Sequence, residues 1–119
     1  LIILIVMVEH LNIAKDFSDT PGPRYNKEGT YSGQSFRETC LYPKLKACIE
    51  SDNKLVINLD GTQGYGTSFL EEAFGGLIRV NHLSYDDIKE HTELISEEEP
   101  YLLEDIEQYL LDAKHDAQL

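Results

Sequence analysis

The sequence predicts an α/β domain with one small sheet of about four strands covered by about four helices. Two observations carry that expectation. Short apolar runs rich in β-branched residues alternate along the chain with longer segments whose apolar residues recur at helical spacing. The chain has 119 residues, 41% of them hydrophobic and 27% charged. That balance is globular, and the length suits one domain that needs neither disulfides nor a metal to hold its core.

Each element follows from local chemistry. Residues 1–8, LIILIVMV, are continuously apolar, and residues 2–8 read as a strand. A bilayer span needs about 20 residues. No basic residue precedes the run, and Glu9 and His10 follow it, so neither a membrane helix nor a signal peptide is expected. Leu11 to Phe17 alternates loosely and either extends this strand or forms a second one. Residues 18–33 contain two prolines and three glycines. They read as a long ordered loop, with a short extended piece near Thr30 and Tyr31.

Ser32 is the expected N-cap of a helix that carries Phe36, Cys40, Leu41, Leu45, Cys48 and Ile49 on one face. Pro43 falls inside it and should kink the helix or start a second one. Asp52 and Asn53 supply a turn, and Lys54 to Leu59 reads as a central strand. The loop DGTQGYGTS holds three glycines within residues 61–66. It opens a helix marked by Phe69, Leu70, Ala73, Phe74, Leu77 and Ile78. Gly75 and Gly76 weaken that helix, by about 1 kcal/mol each, and imply the close approach of another backbone. Ser84 begins a short helix to about His91, and Thr92 to Ile95 reads as the last strand. Glu97 to Glu99 and Pro100 are expected in the first turn of a final helix with Leu102, Leu103, Ile106, Tyr109, Leu110 and Ala113 on its apolar stripe.

Charge and cysteine usage exclude several functions. The net charge is −12, which opposes binding to nucleic acid or to anionic membranes. Residues 84–119 hold twelve acids against Lys89 and Lys114. This acidic third reads as a solvated helical face or as a docking surface. Cys40 and Cys48 would lie about 12 Å apart on a helix, too far for a disulfide. They suit a reducing cytoplasm. The four histidines, His10, His82, His91 and His115, lack metal-ligand spacing, so no metal and no cofactor is expected.

Three constellations could carry chemistry. The first is the loop of Asp60, Gly61, Thr62, Gly64, Tyr65 and Gly66, which leads to Thr67 and Ser68 at a helix start. Exposed N–H groups there suit an anion, although the lysine of a phosphate-binding loop is missing. Its plain reading is a tight strand-to-helix connection capped by Thr67 or Ser68. The second is VINLDGT, which resembles the first motif of haloacid-dehalogenase-type phosphatases. Asn58 stands where that motif has its aspartate nucleophile, and an amide cannot take up a phosphoryl group. The third is Arg24, Tyr25 and Arg37, which either bind an anion or tie the first loop in place. No nucleophile–base pair can be argued from spacing.

The segments DFSDTPGPRY, GTYSGQSFRE and LVINLDGTQGYGTSFLEEAFGGLIR closely resemble bacterial STAS-like domains, relatives of the STAS domains of anti-sigma factor antagonists. The resemblance covers roughly residues 12–113. It divides the chain into an N-terminal apolar strand or extension (1–11) and a STAS-like domain (12–119). It implies a non-catalytic regulatory module that acts on a protein partner, such as a histidine-kinase-like ATPase of the anti-sigma type. In anti-sigma antagonists a loop Asp-Ser-Ser-Gly opens the corresponding helix, and its first serine is phosphorylated. Gly66-Thr67-Ser68-Phe69 occupies that place here. Thr67 matches the phosphorylated serine and Ser68 its neighbour, whereas Gly66 and Phe69 replace the flanking aspartate and glycine. A runner-up reading is a small-molecule or nucleotide-binding domain in which Arg24, Arg37 and the Asp60–Ser68 loop form one pocket. A homodimer through the first strand is a further expectation.

Overall fold

A computed structural model of the chain describes residues 7–118. Strands β1 (Val8–Asn12), β2 (Lys54–Asn58) and β3 (Thr92–Ile95) form a parallel sheet in the order β1-β2-β3. Leu11 is paired with Ile57, and Ile57 with Leu94. Parallel neighbours need long crossovers, and the helices supply them. The α/β class expected from the sequence is thus observed, with three strands among the described residues. The strand expected at 2–8 falls mostly on residues outside the described ones, and β1 begins at its last position, Val8.

After β1 the chain turns into α1 (Ile13–Asp16) instead of continuing as a strand. The reason is local. Asn12 Oδ1 accepts from the Lys15 N–H, and Asp16 Oδ2 accepts from the Asn12 N–H, a reciprocal cap that favours the helical turn. The loop that follows contains a 3₁₀ turn at Asn26–Glu28. Its ends are tied by Gly22 N–H to the Tyr31 carbonyl and Gly33 N–H to the Pro23 carbonyl, both at 2.9 Å. Tyr31 is not extended, as expected, but left-handed with φ 60°.

Ser32 caps α2 (Gly33–Phe36), its Oγ accepting from the Ser35 N–H at 3.0 Å. Pro43 does not break the helix. A π-helical turn at Arg37–Leu41 joins α2 to α3 (Tyr42–Ser51) as one rod. In a regular α-helix the Pro43 ring would strike the Thr39 carbonyl, and the widened turn just before it absorbs that conflict. A second rod is built the same way: α4 (Thr67–Leu70), a π-helical turn at Glu71–Gly75, and α5 (Gly76–Arg79). Ser84 caps α6 (Tyr85–His91), and α7 (Tyr101–Ala117) closes the fold. The acids Glu97 to Glu99 lie in the turn before α7, not inside its first turn.

The core lies between one sheet face and the rods. Leu11, Leu55, Ile57 and Leu59 are buried with Phe36, Leu41, Phe69, Phe74 and Ile106. Phe17, Phe36 and Phe69 form an aromatic cluster with centroids 5.3–6.2 Å apart. The opposite sheet face presents Val8, His10 and Glu93 to solvent. No helix of the described residues is long and apolar enough to cross a membrane.

Candidate functional site

In a parallel sheet, all strands deliver their loops to the same edge, and ligands and partners are met there. Here the chain leaves β1 at Asn12, β2 at Asn58 and β3 at Ile95, and the three exits are bonded together. Gln63 N–H donates to the Asp19 carbonyl at 2.8 Å. Asp60 accepts from the N–H groups of Glu97 and Glu98 at 3.1 and 3.0 Å, and Gly61 N–H donates to the Glu98 carboxylate at 3.2 Å. Gly61 (φ 93°) and Gly64 (φ 125°) adopt left-handed backbone that only glycine enters freely. The glycine-rich loop is therefore a fixed platform, and Asp60 is one of its anchors.

Tyr65 is the other anchor. Its hydroxyl donates to the Leu59 carbonyl at 2.8 Å, and its ring lies 5.9 Å from that of Phe69. Burial pushes the phenol well above its ordinary value, so it stays neutral and serves as a strut. Thr62 Oγ1 accepts from the Gly64 N–H at 3.2 Å, inside the loop. Gly66 is the N-cap of the second rod, with no side-chain cap bond. Thr67 and Ser68, expected as caps, are instead the first two helical residues, and both are exposed.

Arg24 and Arg37 reach the second rod, where Thr67 and Ser68 begin. Arg37, 2% exposed, donates through Nη1 to the Glu72 carbonyl at 2.7 Å and to its carboxylate at 2.5 Å. Its buried Nε has no partner among the described residues. Arg24 Nη1 donates to Glu71 Oε1 at 2.5 Å and lies 3.6 Å from Glu72. Arg79 contacts Glu71 at 2.5 Å and Glu72 at 3.4 Å. Three guanidiniums thus enclose two carboxylates, one turn along the rod from Thr67 and Ser68. Burial pushes the Glu71 carboxyl up, but hydrogen bonds from Arg79 and Arg24 outweigh it and leave Glu71 below its ordinary value. Tyr25 lies apart, exposed, with Arg24 and Lys27 within 6.0 Å of its ring centroid.

The expected single pocket of arginines and glycine loop is not formed in this way. Arg24 and Arg37 are engaged by Glu71 and Glu72, while Asp60 and Gly61 are engaged by the turn before α7. Spacing alone did not reveal Glu71, Glu72 and Arg79 as members of the cluster. One signal was available: Glu72 falls three residues after Phe69, on the buried stripe of the helix. The glycine pair also has a different cause from the one expected. A Cβ at Gly76 would lie 2.0 Å from Arg37 Nη1, and one at Gly75 would lie 2.5 Å from Glu71 Oε2. The close neighbours are charged side chains, not backbone. Close backbone approach occurs at Gly33, where a Cβ would lie 2.4 Å from the Phe69 carbonyl oxygen.

Comparison with known proteins bears on this arrangement. Residues 32–102 match the family model described as a STAS-like domain of unknown function. That match spans both rods, β2, β3 and the glycine-rich loop. No curated protein and no solved structure matches the chain.

Proposed function

Since the chain belongs to the family of STAS-like domains of unknown function, we propose that it is a non-catalytic regulatory module, cytoplasmic, that docks on a protein partner and is switched by phosphate at Thr67 or Ser68. The partner class that fits is a histidine-kinase-like ATPase of the anti-sigma type, which would both bind the module and modify it. The observation that carries this reading is the exposure of both hydroxyl-bearing residues, Thr67 and Ser68, on the first turn of the second rod, at the edge where all three strand exits are tied together.

Other features support the same reading. Groups nearby that could move protons are committed elsewhere: Tyr65 is neutral and bonded to Leu59, and the arginines hold Glu71 and Glu72. A phosphate on Thr67 or Ser68 would add about 1.5 to 2 negative charges. The N-terminal end of a helix favours such charge by about 0.3–1 kcal/mol. Glu71 and Glu72 one turn on oppose it, but their charge is offset by Arg24, Arg37 and Arg79. The fold would therefore tolerate the modification, and the partner would meet the new charge. The test is mass spectrometry of the chain isolated from its native cells and after incubation with the ATPase and ATP. Phosphate at residue 67 or 68 is expected. Its absence at both positions under both conditions would overturn the switch.

One observation favours a second reading, an anion-binding domain: the cluster has three guanidiniums for two carboxylates. Thermal melting with a panel of phosphates and nucleotides separates the two. A ligand at 100 times its Kd stabilises by about 2.7 kcal/mol, and a module that binds only protein would show no shift.

A further inference from the structure

His91 is a buried titratable group that the candidate site does not use. It lies at the other end of the sheet and is 7% exposed. It is the last residue of α6, directly before β3, and Asp52 is the left-handed C-cap of α3, two residues before β2. The ring joins the two. Nδ1 is 2.9 Å from the Asp87 carbonyl oxygen, and Nε2 is 3.1 Å from Asp52 Oδ1.

Both partners only accept hydrogen bonds, so both ring nitrogens must donate. Only the doubly protonated, positive ring does so. A neutral ring has one N–H. If Nδ1 keeps it, the Nε2 lone pair faces a carboxylate oxygen. If Nε2 keeps it, the Nδ1 lone pair faces a carbonyl inside the protein. Either neutral form loses one bond and sets two acceptors against each other. Asp52 is the partner that can yield, because its side chain is 89% exposed and that of His91 only 8%.

We propose that His91 and Asp52 form a proton-operated latch between α6 and α3, closed while the ring is positive and released when it loses a proton. The latch ties the entries of two neighbouring strands, β2 and β3, at the edge opposite the glycine-rich loop. The charges around it favour the closed form. Asp52, Glu90 and Lys54 line one shallow cleft with the ring, two carboxylates against one ammonium. Of the other elements packed on α6, α7 brings Glu107, which is bonded to Lys89 and Tyr85, and β3 brings Glu93, which lies on the open sheet face. Burial pushes the ring down, but the bonds to the Asp87 carbonyl and to Asp52 outweigh it and hold His91 above its ordinary value. A histidine raised in the folded state adds stability that is complete below its unfolded value, about pH 6.5, and is lost as pH rises through the folded one. This window lies above the acid range in which carboxylates titrate, so the latch can be read on its own.

The test follows the His91 ring signals of the whole chain by NMR, and its Tm by thermal melting, from about pH 6 to pH 9, a range in which an exposed aspartate stays ionised. Asp52→Asn and Asp52→Gly both tolerate the left-handed backbone of residue 52. Asparagine offers an N–H to the neutral ring, and glycine offers nothing. In the wild type, His91 should titrate above about pH 6.5, with both ring nitrogens protonated on the acid side. In both variants the midpoint should fall by about half a pH unit or more, and further in Asp52→Asn. The Tm advantage of the wild type over each variant should shrink as pH rises through the wild-type midpoint. Equal His91 midpoints in the three proteins would overturn the latch. So would a wild-type midpoint at or below the ordinary value, or a Tm difference that stays constant across the range.

Discussion

Arg37 and Glu72, one from each π-helical turn, meet inside the protein through two bonds, at 2.7 Å to the carbonyl and 2.5 Å to the carboxylate. This contact locks the first rod to the second. Removing one partner of a buried pair leaves a charge with no compensation and costs about 3–5 kcal/mol. Arg37→Met should therefore lower unfolding free energy by about that amount in urea titrations. The double variant Arg37→Met with Glu72→Leu should recover part of it. A loss below about 1 kcal/mol for Arg37→Met would show that Arg24 and Arg79 suffice to hold Glu72.

The glycines should rank by what their missing Cβ would meet. At Gly33 the obstacle is the Phe69 backbone, at Gly76 the buried Arg37, and at Gly75 the partly exposed ends of the Glu71 and Arg79 side chains, which can shift together. Overpacking costs about 1–3 kcal/mol, and alanine returns about 1 kcal/mol of helix propensity. Gly33→Ala and Gly76→Ala should lower Tm, whereas Gly75→Ala should leave it nearly unchanged. Equal melting of all three variants would refute the ranking.

Glu71 gives the protein a pH dependence. Its carboxyl is held below the ordinary carboxylate range in the folded state. It therefore contributes stability that is complete above the unfolded carboxylate value and is lost as pH falls through the folded one. Wild-type Tm should fall between about pH 5 and pH 3, the range in which carboxylates titrate, and more steeply than that of Glu71→Gln. Parallel curves for the two proteins would remove Glu71 from this role.

Asp60 is assigned a structural duty by its bonds to the Glu97 and Glu98 N–H groups. Asp60→Ala should cost about 0.5–2 kcal/mol, the usual range for a lost cap, and leave partner binding unchanged. A variant that keeps full stability but loses binding would place Asp60 on the docking surface instead.

Much of this architecture was legible in the sequence because its determinants are local. Ser32 and Ser84 cap helices through residues three positions on, and Thr92 to Ile95 forms a strand between plain turn signals. The parts that were not legible depend on distant residues. Pro43 reads as a break, and only the π-helical turn that precedes it lets the rod continue. Gly75 and Gly76 signal close approach, but nothing near them names Arg37 as the neighbour. Asp52 and His91 are separated by a strand and a rod, so their contact follows from topology alone. Thr67 and Ser68 stand out only through the resemblance of the loop, and with Gly66 as the cap they become the first two helical residues.

The exposed pair Thr67 and Ser68 carries the central claim, and partner affinity tests it most directly. The measurement is the Kd of wild type, Thr67→Glu and Ser68→Glu, and the two alanine variants for the ATPase recovered with the chain from its native cells, with circular dichroism confirming the fold of each. At least one glutamate variant should bind tenfold or more weakly, a difference of about 1.4 kcal/mol, while the alanine variants bind as wild type does. Equal Kd values for wild type and both glutamate variants would contradict the account.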